Sequence, residues 1–230
     1  MSVSVIIPAL NEAQSICQVL QEIAAYAVDE VIVVDGGSTD GTAALARAMG
    51  ARVFQELARG YGRACAAGAD AARGEILLFL DGDGADDPRH IPDLLAPIQA
   101  GQADLVLGSR LTRVAMPVTM PWHQRFGNHL AARLIQWLYG VSLTDLGTFR
   151  AVRHTALLGL RMREMTYGWP TEMIVKAARR GLRITEIPVA HRPRLGGRSK
   201  ISGTLPGTIL AAYHILATIL RYRPPRGDIS

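Results

Sequence analysis

Short apolar runs alternate with helix-period segments through the first half of the chain. VSVIIP at 3–8 is continuous, apolar and rich in β-branched residues, the pattern of a strand buried on both faces. The next segment predicts a helix, with Asn11 as cap, Gln14 completing a capping box, and Ile16, Val19, Leu20 and Ile23 on the inner face. EVIVVD at 30–35 repeats the buried-strand pattern, GGSTDGT forms a turn, and TAALARAMG forms a helix that stops at Gly50. ARVFQ at 51–55 is a third strand. The Ala/Gly-rich stretch 60–73 is a closely packed helix, weak in propensity at Gly68. EILLFL at 75–80 is a fourth strand, Asp87-Pro88 opens another helix, and DLVLGSR at 104–110 is a fifth strand.

This alternation implies right-handed crossovers and a largely parallel α/β sheet with helices on both faces. Ligands in such folds sit beyond the carboxyl ends of the strands. Asp35, Asp81 and Arg110 stand at three of those ends and should share one rim. The second half is less regular. Residues 111–127, with Pro117, Pro121, Trp122, His123 and Arg125, read as a loop, and 128–139 as a helix. TDLGTFRAVR at 144–153 is a turn leading into a strand or hairpin. Residues 171–182 form a helix, RITEIPV at 183–189 a strand, and 191–204 a basic, Gly-rich loop. No repeat is visible, and the pattern describes a single domain with an elaboration in its second half.

The chain has 230 residues, is 49% hydrophobic and carries a formal charge of +5. That excludes disorder and suits a phosphate-bearing partner, either a nucleotide or a membrane surface. Nucleic acid is disfavoured, because the late arginines alternate with Pro and Gly and lack interleaved aromatics. Cys17 and Cys65 lack metal-ligand spacing and read as buried thiols. The N-terminus has no basic region ahead of its first strand, so no signal peptide is expected. The apolar run at 205–220 is only 16 residues long, short for a spanning helix. A cytoplasmic protein is the expectation.

FLDGDGADDP at 79–88 places Asp81, Asp83, Asp86 and Asp87 directly after the fourth strand. Oxygen donors of this kind suit Mg²⁺ or Mn²⁺, with water and substrate phosphates completing the shell. Asp81 and Asp83 are the candidate ligands. Asp86 and Asp87 precede Pro88 and read as helix caps. No P-loop, dinucleotide-binding GxGxxG, GxSxG or HExxH occurs.

The series VIIPALNE, VVDGGSTDGT, RGYGRAC, FLDGDGADDP, GSR, TDLGTFRAVR and 171–204 runs in order over nearly the whole chain. It resembles the inverting family 2 glycosyltransferases of the GT-A fold, and among them the dolichyl- and polyprenyl-phosphate mannose or glucose synthases. The resemblance implies a Rossmann-like GT-A domain at 1–203, with a nucleotide-binding half (1–110) and an acceptor half (111–203). An apolar helix at 204–222, lying at an interface, and a tail at 223–230 complete the division. It implies a donor pocket of Pro8, Ala9, Asn11, Glu12, Asp35, Gly62, Arg63, Asp81, Gly82, Asp83 and Arg110, with Asp35 on the base. Asp81 and Asp83 would hold Mg²⁺ or Mn²⁺. Arg125, Arg150, Arg194 and Lys200 would hold the acceptor. Thr148, between Gly147 and Phe149, departs from the family pattern.

The reaction implied is metal-dependent transfer of a hexose from GDP-mannose or UDP-glucose, with inversion, to a polyprenyl or dolichyl phosphate. Asp83, Arg110, Arg194 and Lys200 would serve the chemistry. With the lipid-phosphate acceptor Asp145 reads as an orienting residue. The alternatives are a soluble glycosyltransferase acting on a sugar, glycan or metabolite hydroxyl, for which Asp145 is the candidate base, and a non-catalytic nucleotide-sugar-binding subunit. Glu172 reads either as orienting an arginine or as helix surface. Partners consistent with the apolar helix and RYRPPR are the cytoplasmic face of a membrane, a membrane protein or a second copy of the chain.

Overall fold

The computed structural model describes residues 1–111, 122–196 and 205–223, with backbone alone along 122–126 and 205–209. Lys200 and the side chain of Arg125 therefore lie outside the described residues.

The elements follow in chain order: β1 (Val3–Ala9), α1 (Ile16–Ile23), β2 (Glu30–Asp35), α2 (Thr42–Ala48), β3 (Arg52–Gln55), α3 (Tyr61–Ala71) and β4 (Ile76–Phe79). A 3₁₀ turn (Pro88–His90) leads into α4 (Ile91–Gln99) and β5 (Leu105–Ser109). Then come α5 (Trp122–Tyr139), β6 (Arg150–Arg153), α6 (His154–Leu160), α7 (Trp169–Arg179), β7 (Ile184–Pro188) and α8 (Leu205–Arg221). The strands form one seven-stranded sheet in the order β3-β2-β1-β4-β6-β5-β7. All pairings are parallel except those of β6, which runs antiparallel between β4 and β5.

The period of two along β1 divides its side chains between two cores. Ile6 enters a core with Phe79, Trp169 and Met173, under α3, α5, α7 and α8. Val5 and Ile7 enter a second with Ile16, Val19 and Leu94, under α1 and α4. The predicted inner face of α1 is the buried one. The weak helix α3 is explained by contact distance: a Cβ on Gly68 would lie 2.4 Å from Ile6 Cγ2. Small residues let α3 sit on the sheet at a spacing a larger helix could not reach.

Three local expectations are corrected. Asn11 does not cap α1. It sits at φ 52°, its Oδ1 accepts from Thr39 N–H, and its own N–H donates to Ser38 Oγ, so it clamps the turn after β2. Helix α5 begins by Trp122, so Trp122, His123 and Arg125 lie on a helix. Asp87 caps the 3₁₀ turn by accepting from Arg89 N–H, but Asp86 does not; its Oδ2 accepts from Asp81 N–H instead.

Candidate active site

The parallel strands β1, β2, β4 and β5 deliver their carboxyl ends to one rim. Asp81 lies just past β4. Its Oδ1 accepts from Tyr61 OH at 3.1 Å and its Oδ2 from Thr148 Oγ1 at 3.0 Å. Burial, followed by the neighbouring charge of Asp83, pushes its pKa up to about 6. The Asp83 Oδ1 accepts from Ala85 N–H, and its Oδ2 pairs with Arg194 Nη1 at 2.7 Å. Thr148, the departure from the family pattern, thus steadies a candidate metal carboxylate.

A strap formed by 190–195 crosses this acidic loop. Asp86 and His191 form a backbone bridge. Arg192 N–H donates to Ala85 O, and Leu195 N–H to Asp83 O. The Arg192 side chain pairs with Asp87 and with Glu22, and Arg194 Nη2 reaches Glu12 Oε1 at 3.1 Å. The strap leaves His191 Nδ1 buried with no hydrogen-bond partner. The His191 pKa is lowered by burial and then by the positive charge of Arg110, with Asp83 and Asp145 opposing. His191 was missed in the sequence reading, although the predicted strand 183–189 delivers it to the same rim. Tyr61 was missed too, and Thr148 was noted only as a departure from the family pattern, because contacts between distant segments leave no local pattern.

Among the described residues no three His, Cys, Asp or Glu side chains form a metal-ligating group. Asp81 and Asp83 nevertheless fit a divalent cation that takes most of its ligands from phosphate oxygens and water, and the orphan His191 Nδ1 lies near Asp83. Glycine suits Gly82 because a Cβ there would meet Ile7 Cγ2 at 3.3 Å, and its carbonyl accepts from Ser15 Oγ.

Several assigned side chains do other work. The Asp145 side chain is fully buried and saturated. Its Oδ2 accepts from Arg110 N and Nε, and its Oδ1 from Arg110 Nη2, Asn128 Nδ2 and Leu146 N. Burial alone would raise its pKa, but Arg110 holds it below the usual carboxylate range. Five donors leave no lone pair for a substrate proton, so Asp145 positions Arg110 and is not a base. Arg150 is also fully buried, and donates to the carbonyls of Gly147, Thr148 and Pro170. Burial drops its pKa to about 10. It braces the 147–148 turn and does not face an acceptor. Asp35 is 1% exposed and accepts from Gly37 and Ser38 N–H, which closes the turn after β2. A Cβ on Gly62 would lie 2.7 Å from Glu164 O, which makes Gly62 a packing position. Arg63 is exposed. Pro8 and Ala9 end β1 beside β2, and Glu12 is buried at the strap. Glu172 is fully buried. It accepts from Arg163 and Glu164 N–H and Tyr222 OH, and pairs with Lys176, so neither reading offered for it holds.

The mostly parallel sheet, with an acidic loop on its carboxyl rim, has the GT-A architecture found in nucleotide-sugar-dependent glycosyltransferases. The chain belongs to glycosyl transferase family 2, whose model matches residues 4–160. It is 39% identical over 211 residues to an uncharacterized glycosyltransferase of Mycobacterium tuberculosis, covering 91% of this chain and 94% of the relative. It is 36% identical over 196 residues to a dolichyl-phosphate hexose transferase of Haloferax volcanii, covering 84% of each. Its fold matches glucosyl-3-phosphoglycerate synthase of M. tuberculosis, solved with Mn²⁺, UDP-glucose and phosphoglyceric acid, at a TM-score of 0.79 and 27% identity over 98% of this chain and 81% of that one. The chain is an enzyme of inverting glycosyl transfer, which replaces the binding-subunit alternative. Among the described residues no helix is long and apolar enough to cross a membrane.

Proposed function

We propose that this enzyme transfers a hexose from a UDP-sugar, with inversion, to the hydroxyl of a small acceptor that carries its own anionic group, releasing UDP and the hydroxyl proton to solvent. The observation that supports this reading most is the rim itself. Asp81, Asp83 and the unpartnered His191 Nδ1 stand beside Arg110, in a fold shared over nearly the whole chain with a synthase solved holding UDP-glucose and phosphoglyceric acid.

Asp83 and His191 would hold the divalent cation, Mn²⁺ or Mg²⁺, with Asp81 beside them. When bound, the cation supplies charge neutralisation for the diphosphate as it leaves. The chain's own residues do the rest. Arg110, aimed by Asp145, presents a fixed guanidinium fork to phosphate oxygens. Arg194, now on Asp83, is placed to turn to the diphosphate once that carboxylate is shared with a cation. Tyr61 and Thr148 fix the orientation of Asp81 and hold it charged near neutral pH. The domain division at 203/204 and a contribution of Lys200 and Arg125 to the acceptor side belong to the same reading.

The lipid-phosphate acceptor is the second reading, favoured by the 36% identity to the dolichyl-phosphate hexose transferase. Transfer of radiolabel from UDP-glucose or GDP-mannose in the presence of Mn²⁺ separates the two. A water-soluble product formed on phosphoglycerate-like acceptors is the expected result. Label that enters the organic phase only with polyprenyl phosphate would replace the first reading with the second. Replacement His191→Ala should weaken Mn²⁺ binding measured by electron paramagnetic resonance, and unchanged binding would remove His191 from the ligand set.

A further inference from the structure

A second concentration of positive charge lies away from the rim. The last turn of α7, the segment after α6 and the end of α8 border an open cleft of about 320 Å³, lined by Arg161, Arg163, Lys176, Arg179, Arg180 and Tyr222. Trp169, at the opposite end of α7, packs on Phe79 beneath the active-site rim. The length of that helix puts roughly 15 Å between the two places.

Lys176 is already engaged: its Nζ bonds Glu172 Oε1 at 2.7 Å and donates to Arg161 O at 2.6 Å, and it lies 4.8 Å over the Tyr222 ring. The four arginines are not. Among the described residues none of Arg161, Arg163, Arg179 and Arg180 pairs with a carboxylate. The two carboxylates of the neighbourhood are buried and committed. Glu172 is bound as described above, and Glu164 accepts from Thr166 and lies near His214 and Arg221. A basic last turn complements a helix dipole, which accounts for Lys176 and Arg179 on α7 alone. It does not account for Arg161 and Arg163, which arrive from a different segment, with Arg161 held at φ 50°.

We propose that this cleft is a binding site for a compact, multiply charged phosphate compound, distinct from the donor site. Four exposed arginines that line one cleft, none paired with a carboxylate among the described residues, suit at least two phosphate groups, since each planar fork takes two oxygens. The ligand is a free phosphorylated small molecule, because a cleft of about 320 Å³ has the size of a small-molecule site.

The test is calorimetric titration of the full chain with inorganic pyrophosphate in the presence of EDTA, so that the cation-dependent donor site does not contribute. Replacing the exposed pair, Arg179→Ala/Arg180→Ala, should weaken binding at least about tenfold, and Arg194→Ala should leave it unchanged. Equal binding by wild type and the double variant, absent binding in both, or loss on Arg194→Ala would overturn the site. Co-sedimentation with phosphatidylglycerol/phosphatidylcholine vesicles separates the phosphate sources. No sedimentation supports the free ligand. Sedimentation that requires Arg179 and Arg180 and is chased by pyrophosphate would overturn the free-ligand assignment in favour of a lipid headgroup.

Discussion

At the residue scale the structure changes what a carboxylate is for. Asp145 stood out in the sequence as an acid near the acceptor side, but its five hydrogen-bond donors make it the anchor of Arg110. Asp145→Asn leaves the Arg110 guanidinium unneutralised and should cost about 3 kcal/mol in urea unfolding. Turnover should fall while the acidic limb of the pH–rate profile keeps its position; a lost limb would restore Asp145 as a base. Asp87 makes a second case. Burial alone would raise its pKa, but Arg89 and Arg192 hold it at about 2. A depressed folded-state pKa contributes stability above the unfolded value near 4 and loses it as pH falls toward 2. Wild type should therefore melt higher than Asp87→Asn at neutral pH, and the two melting curves should converge by about pH 2. A gap independent of pH would place the effect in packing.

At the element scale the most informative helix is the one with the poorest intrinsic propensity. Helix α3 consists largely of Ala and Gly, and Gly68 is where β1 comes closest. Gly68→Ala would gain about 1 kcal/mol of helix propensity. It would also force a Cβ to within 2.4 Å of Ile6 Cγ2, and overpacking of that kind costs about 1–3 kcal/mol. Steric crowding should win, and denaturant midpoints should drop; a rise would show that Ile6 moves aside freely. The same reasoning explains which elements were readable. Continuous β-branched runs and the 3.6-period face of α1 announce themselves because burial acts on each residue in turn. The first turns of α5 were not readable: Pro121 and a cluster of Trp122, His123 and Arg125 resemble loop chemistry. Asn11 was misjudged because its partners, Ser38 and Thr39, come from across the sheet rim.

At the scale of the whole molecule, the acidic half of the site was legible and its closure was not. Asp81 and Asp83 follow a strand whose place in a parallel sheet is evident from the sequence, so their rim could be named in advance. His191 is more than a hundred residues from them, and only the strap's backbone pairing shows that it belongs there. The strap also brings Arg194 onto Asp83 and Glu12, joining the two ends of the domain through one guanidinium. A cation entering at Asp83 must compete with that guanidinium, and its apparent affinity carries the cost of displacing it. Arg194→Ala removes the competitor. The metal-free variant should melt below wild type, because Asp83 loses its ion pair. Added Mn²⁺ should raise the melting temperature of the variant by more than it raises that of wild type, since the whole binding free energy then appears as stability. An equal or smaller Mn²⁺-induced rise in the variant would mean that Arg194 and the cation do not contend for the same carboxylate.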